Sequence, residues 1–287
     1  MIYAQKLVGE TMHPKISIIT VTLNSEKTLE QTISSVVNQT YDNIEYIIID
    51  GGSADGTLDI VRKYEKSIAY FISEPDNGIY EAFNKGVRAA TGDYIEIIGS
   101  DDSLCSSESI QQVVEEMEED VDILSCCQYL VYEKTGLQRE YNNYPARNKD
   151  TYIGGMIPHG SMFVKKEVLE KYPFDESYRI SADYKFFLLA YYDPSVKIKY
   201  SDTFVLFFSA DGTSSDAAVY EEDYRITQEL HLPKSFAEGI RPVWEKAIRK
   251  ILAQIGVFSK IKYLKDKITL KKHHCNNKIC RWCGRGV

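Results

Sequence analysis

Asp101 and Asp102 stand side by side after the apolar run Tyr94-Ile95-Glu96-Ile97-Ile98 and the break Gly99-Ser100. Two carboxylates this close repel each other, so a proton or a bound cation must offset them. Hard oxygen ligands suit Mg²⁺ or Mn²⁺, ions that also carry phosphates. A helix cap is the alternative reading, because a short helical pattern follows the pair. Two more polar turns follow apolar runs. Asn24-Ser25 comes after Ile16–Leu23, and Asp50-Gly51-Gly52-Ser53-Ala54-Asp55-Gly56-Thr57 comes after Ile44–Ile49. Neither G-x-x-x-x-G-K-[ST] nor G-x-G-x-x-G is present, so any phosphate site here works without those loops.

The elements that must position these groups follow from periodicity. Ile16–Leu23, Ile44–Ile49, Ala69–Ser73 and Tyr94–Ile98 read as strands, apolar and β-branched enough to be buried. Between them, helical spacing appears at Leu29, Ile33, Val36 and Val37, at Leu58, Val61 and Tyr64, and over 79–90, where Gly92 is expected to close the helix. The β-α alternation predicts a mostly parallel sheet flanked by helices, because crossovers are right-handed. The turns at Asn24, Asp50 and Asp101 then meet on one edge, where open α/β sheets bind ligands. Beyond residue 105 the pattern predicts a helix over 107–119, a long strand over 122–132 and a hairpin return over 137–141. A short strand at 162–164, helices over 166–172 and from 180, and two strands at 196–201 and 203–208 complete it. Asp183 opens the second of those helices, where it reads either as a cap or as a carboxylate kept ionised by the helix N-terminus.

The chain has 287 residues and a net charge of −8. Residues 241–287 hold 13 Lys/Arg against 2 Asp/Glu, a net of +11, and the remainder holds 21 against 40, a net of −19. The acidic part does not fit a nucleic-acid binder. The organisation expected is an extension over 1–14, a domain over 15–240 and a basic helical tail over 241–287. In the tail, Trp244, Ile248, Ile251, Leu252, Ile255 and Phe258 form one stripe. Such a helix can lie on an anionic membrane face or pack on the domain. No run approaches 18 apolar residues and no signal-peptide core opens the chain, so a cytoplasmic protein with free thiols is expected. His273, His274, Cys275, Cys280 and Cys283 could together hold zinc.

The first 210 residues resemble the family 2 inverting glycosyltransferases. The resemblance rests on Ser17–Asn24, Asp50–Thr57, Asn84-Lys85-Gly86 with Ala90–Asp93, Gly99–Asp102, Pro158-His159-Gly160, Phe174-Asp175-Glu176 and Ala182-Asp183-Tyr184. It is most similar to bacterial enzymes of exopolysaccharide, O-antigen and capsule synthesis. The resemblance implies the GT-A fold, with residues 15–105 as the nucleotide half and 106–240 as the acceptor half. It implies transfer of sugar from a nucleotide-sugar donor, with Mg²⁺ or Mn²⁺, to a glycan or a polyprenyl-diphosphate-linked acceptor. Thr22 and Asn24 would line the base and ribose pocket, and Asp50 would accept from the base, a natural match to uracil. Gly52, Ser53, Asp55, Lys85, Asp101 and His159 would contact substrate. Asp101 and Asp102 would hold the cation, and Asp183 would be the general base.

The chain departs from the family in three places. Gly99 replaces the first acid of the usual Asp-x-Asp, and Ala182 replaces a Glu often found before the base. The Gln-x-x-Arg-Trp of the processive synthases has Lys278 in place of its Gln. With no spanning segments, Arg281-Trp282 reads as coincidence and single-sugar transfer is favoured. A nucleotidyltransferase is disfavoured, since residues 20–28 lack Arg and are not Gly-rich. A non-catalytic binding protein of the same fold has only Gly99 and Ala182 in its favour.

Overall fold

The computed structural model describes residues 13–133, 135–149, 152, 156–210, 218–232, 271–272 and 280–282. The apolar stripe of the tail, and His273, His274, Cys275 and Cys283, lie outside them. In chain order the elements are β1 (Ile16–Thr22), α1 (Leu29–Val37), β2 (Ile44–Asp50), α2 (Thr57–Lys63), β3 (Tyr70–Ser73), α3 (Ile79–Ala89) and β4 (Tyr94–Gly99). There follow β5 (Ser103–Leu104), α4 (Ser109–Glu116), β6 (Ile123–Tyr132), β7 (Leu137–Tyr141), β8 (Met162–Lys165) and α5 (Lys166–Lys171). The last are α6 (Ala182–Tyr192), β9 (Ile198–Ser209), α7 (Ala218–Glu229) and β10 (Lys271–Lys272).

One sheet runs β10-β7-β6-β8-β4-β1-β2-β3, with β9 joined to β6 and β5. Its β4-β1-β2-β3 part is parallel. Beyond β4 it becomes mixed, because β8 returns antiparallel to both β4 and β6. The chain builds from β1 outward to β3 and then crosses back to place β4 on the other side of β1. That reversal opens a crevice at the carboxyl ends of β1 and β4.

Two cores cover the two faces. Ile16, Ile18, Ile48, Tyr94 and Ile98 point toward α1, α2 and α4. Ile19, Ile47, Ile95 and Ile97 point toward α3, α5 and α6. Each buried Ile is worth about 1.5–3 kcal/mol, so strand register is strongly held. α3 illustrates the fit: Tyr80, Phe83, Asn84 and Val87 recur at helical spacing and all are buried. Glu96 is the exception, fully buried with neither carboxylate oxygen hydrogen-bonded among the described residues. Burial, with Asp102 nearby, pushes its carboxyl well above the usual range.

Several expectations change. Gly92 is not the left-handed cap of α3, because the helix ends with Ala90 extended. A Cβ on Gly92 would lie 2.6 Å from Ser17 Oγ and 2.7 Å from the Lys15 carbonyl, so close approach to β1 selects glycine. The two final strands are one, β9, which keeps pairing with β6 through a register slip near Cys127. His13 and Pro14 do not hang free: His13 pairs with Asp42 at 3.0 Å and the Pro14 carbonyl accepts from Tyr41 Oη at 2.6 Å. In the tail, Lys271–Lys272 is strand on the open edge of β7, with Lys271 3.7 Å from Glu140. No helix among the described residues is long and apolar enough to cross a membrane.

Candidate active site

Four strand ends align on the rim. Thr22 is in register with Asp50, Val21 with Gly99, and Asp50 with Ser73. The turns leaving β1 and β4 form a cleft of about 760 Å³, lined among others by Thr22, Leu23, Asn24, Asp55, Asp76 and Asp101. Its size suits a small-molecule ligand. Thr22 lines this wall, and its Oγ1 is buried with no partner among the described residues, a buried polar atom that calls for an explanation. Asn24 holds φ of +49°, a conformation that Asn tolerates. It is pinned there by its N–H to Ser53 Oγ (2.7 Å) and by Ala54 N–H to its Oδ1 (2.9 Å). Ser25 and Ser100 meet at 2.7 Å between their hydroxyls, joining the β1 and β4 turns.

The expected binding residues separate into those that face the cleft and those that build it. Asp50 is wholly buried. Its oxygens accept from Gly52 N–H (3.1 Å), Ser53 N–H (2.9 Å), Ser53 Oγ (2.5 Å) and Ser73 Oγ (2.6 Å). It shapes the turn from behind, with Gly52 at φ of +87° inside it, and a base would reach it only by displacing one of those hydroxyls. Nor does Asp50 cap α2, since Asp55 accepts from Thr57 N–H (3.0 Å) and Thr57 Oγ1 (2.5 Å) at that helix start. Lys85 does not line the cleft. Its ammonium lies 2.9 Å from both Glu74 and Glu81 and ties α3 to the preceding loop. Asp76 on the cleft wall was not anticipated. The only signal was an acid in the turn Glu74–Gly78.

The acidic pair divides in the same way. Asp102 is 2% exposed. Its Oδ2 accepts from Gly99 N–H at 2.8 Å and its Oδ1 from Ser209 N–H at 3.0 Å, so it locks the loop to β9. Asp101 lines the cleft. Burial raises both carboxyls above the usual range, and Asp101 pushes Asp102 further up. A Cβ on Gly99 would sit 2.8 Å from Asp101 Oδ1 and 3.1 Å from Asp102 Oδ2, space that the carboxylates occupy. No group of three or more His, Cys, Asp or Glu suited to a metal occurs among the described residues. One carboxylate on a cleft wall still fits Mg²⁺ or Mn²⁺, which take one or two protein carboxylates and complete their shell with phosphates and water.

Asp183 and His159 border a second, small void beside Phe174. Asp183 is in the first turn of α6. Its Oδ1 accepts from Tyr184 N–H (2.9 Å) and Tyr80 Oη (3.0 Å), and its Oδ2 lies 3.2 Å from His159 Nδ1. The Tyr80 hydroxyl also reaches the Ile180 carbonyl, so its one proton is shared. Burial, and after it the Asp183 carboxylate, push the Tyr80 phenol up, keeping it a donor. Asp183 does not cap its helix with a side chain, and Glu222 of α7 holds the segment that leads into it. Glu222 accepts from Arg179, Ile180 and Ser181 N–H at 2.8–2.9 Å, which fixes the approach to Asp183.

The next residue, Asp223, has its carboxyl pushed up to about 7 by burial, with Asp183 and Glu222 adding to the effect. An acid with a raised folded value binds its proton more tightly folded than unfolded, so this stabilisation falls as pH rises from about 4 through about 7. Melting temperature followed from pH 5 to 8 is expected to fall for the unaltered chain, and Asp223→Asn is expected to flatten that fall.

The sequence pattern of the family described as Glycosyl transferase family 2 matches residues 17–173. Over 267 residues the chain is 26% identical to the PGL/p-HBAD biosynthesis glycosyltransferase of Mycobacterium bovis BCG, covering 86% of this chain and 97% of that one. Among solved structures it is similar to S. aureus TarS 1–349 in complex with UDP, with a TM-score of 0.61, 21% identity and 77% and 67% of the two chains covered. It is also similar to the mannosyltransferase PcManGT of Pyrobaculum calidifontis in complex with GDP-Man and Mn²⁺, with a TM-score of 0.59, 16% identity and 87% and 73% covered.

Proposed function

The chain belongs to glycosyl transferase family 2 and is a glycosyltransferase; from that premise we propose that it moves one sugar, with inversion, from a nucleotide-sugar donor to a glycan or lipid-linked acceptor. The carrying observation is the aligned rim, where Asp101 and the unpartnered Thr22 hydroxyl share one cleft wall. The donor occupies that cleft, its base and ribose toward Thr22, Asn24 and Leu23 and its diphosphate toward Asp101. A UDP-sugar is favoured, and TarS carries UDP in the same fold. Mg²⁺ or Mn²⁺ on Asp101 would supply the positive charge that offsets the leaving diphosphate. Asp183 takes the proton of the acceptor hydroxyl, and that oxygen attacks the anomeric carbon from the face opposite the diphosphate. Tyr80 and His159 hold the carboxylate in one orientation and order it for this transfer. Arrival of the acceptor from a membrane face, guided by the basic tail, belongs to the same proposal, as does a role in bacterial surface glycan synthesis.

A panel of UDP-, GDP- and dTDP-sugars with Mn²⁺ or Mg²⁺, read by released nucleotide product, tests this. Nucleoside diphosphate from one donor is the expected result. Pyrophosphate would mean nucleotidyl transfer instead, and no binding of any donor would mean a scaffold that kept the fold.

A further inference from the structure

Arg281 and Trp282 are far from the acidic loop in sequence and beside it in space. Trp282 is 1% exposed, packed on Val131 and Phe207, its ring edge-on to Phe207 at 6.2 Å between centroids. That anchor aims Arg281. The Arg281 N–H donates to Gln31 Oε1 at 2.8 Å, Nε lies 3.3 Å from Glu133 Oε2, and Nη2 donates to the Asp101 carbonyl. Gln31 belongs to α1, whose leading loop walls the cleft, and Glu133 follows β6. One residue thus ties the acidic loop to α1 and to the segment that follows β6. Asp101 lies between β4, which stops at Gly99, and β5, which starts at Ser103; the N–H of its following peptide donates to the Gly99 carbonyl at 3.2 Å, and Arg281 holds the carbonyl of that same peptide from the other side. The Asp101 carboxylate keeps a direction only if its peptide plane is fixed. A guanidinium, planar and with several donors, can hold that carbonyl and Glu133 together, whereas an ammonium is a single point charge.

We propose that the Arg281–Trp282 segment is part of the donor site, with Arg281 the positioning residue that sets the Asp101 peptide so that its carboxylate faces the diphosphate. The inference rests on the reading of the cleft as a nucleotide-sugar site. Charge and position pull in opposite directions, which makes the test decisive. Removing a cation beside two acids should by charge alone tighten a divalent ion, while loss of position should loosen it.

Binding of UDP and of GDP to the full chain is titrated across a Mn²⁺ series by calorimetry, with melting temperature measured alongside. Arg281→Met is expected to raise the Mn²⁺ needed for half-maximal nucleotide binding about tenfold, and Arg281→Lys about threefold. Unchanged or tighter Mn²⁺ dependence in Arg281→Met overturns the inference. If that variant does not fold, Arg281→Lys decides, and behaviour identical to the unaltered chain overturns it equally. Failure of the unaltered chain to bind either nucleotide overturns the donor-site reading, and this inference with it.

Discussion

Replacing Asp183 by Asn is expected to slow sugar transfer about 10³-fold, within the range for loss of a general base. Asn keeps the size of the side chain and an oxygen to accept from Tyr80 Oη and Tyr184 N–H. It cannot take a proton. Donor hydrolysis by water needs the same proton removed, so the loss can be read before the acceptor is identified. Nucleotide affinity measured by calorimetry should not change, because Asp183 lies outside the cleft that Asp101 lines. A variant that keeps its rate would remove Asp183 from the chemistry and leave it as a residue of the helix start.

Asp101→Asn is expected to cost about 10² to 10³ in rate, the scale for losing one group that offsets charge in the transition state. The contrast with its neighbour gives the experiment its force. Asp101 lines the cleft, so its loss should weaken cation-dependent nucleotide binding with little change in melting temperature. Asp102 holds Gly99 and Ser209 by their N–H groups. Asn in its place can accept at one oxygen only and leaves a buried donor unmatched, a cost of about 1–3 kcal/mol. Asp102→Asn is therefore expected to melt a few degrees lower. Equal effects of the two variants on binding and melting would contradict the division of roles.

Much of the donor side can be read from local pattern. Ile16–Thr22, Ile44–Asp50 and Tyr94–Gly99 are apolar runs closed by turn residues, and right-handed crossovers oblige their carboxyl ends to share a rim. In the folded chain Thr22 is in register with Asp50 and Val21 with Gly99, so those ends do meet, and the apolar pattern on both sheet faces holds that register. The residues that escaped are those whose roles depend on partners far along the chain. Nothing near Asp50 in sequence indicates that Ser73 will close over it. Lys85 sits in a motif that resembles substrate-binding sequence, yet Glu74 and Glu81 are within reach in the folded chain and take its charge. Tyr80 meets Asp183 103 residues later, and Glu222 holds the same loop from beyond it. The unity of β9 was hidden because polar Ser201-Asp202 breaks the apolar run, while pairing with β6 continues past it. Secondary structure is written locally, but side-chain partnership is settled by packing, which periodicity does not encode.

α3 carries adjacent residues to different tasks. Ile79 lines the cleft, Tyr80 donates to Asp183, and one turn further on Asn84 donates to the Phe174 carbonyl and Glu176 at 2.8 Å. A helix is stiff at this length, so the cleft and the carboxylate cannot adjust independently. Widening the cleft at Ile79 by an ångström or so would draw the phenol away from Asp183 and blunt proton removal. On the proposed roles, donor size and the geometry of Asp183 are mechanically linked, and a sugar too large for the cleft is expected to lose turnover as well as affinity.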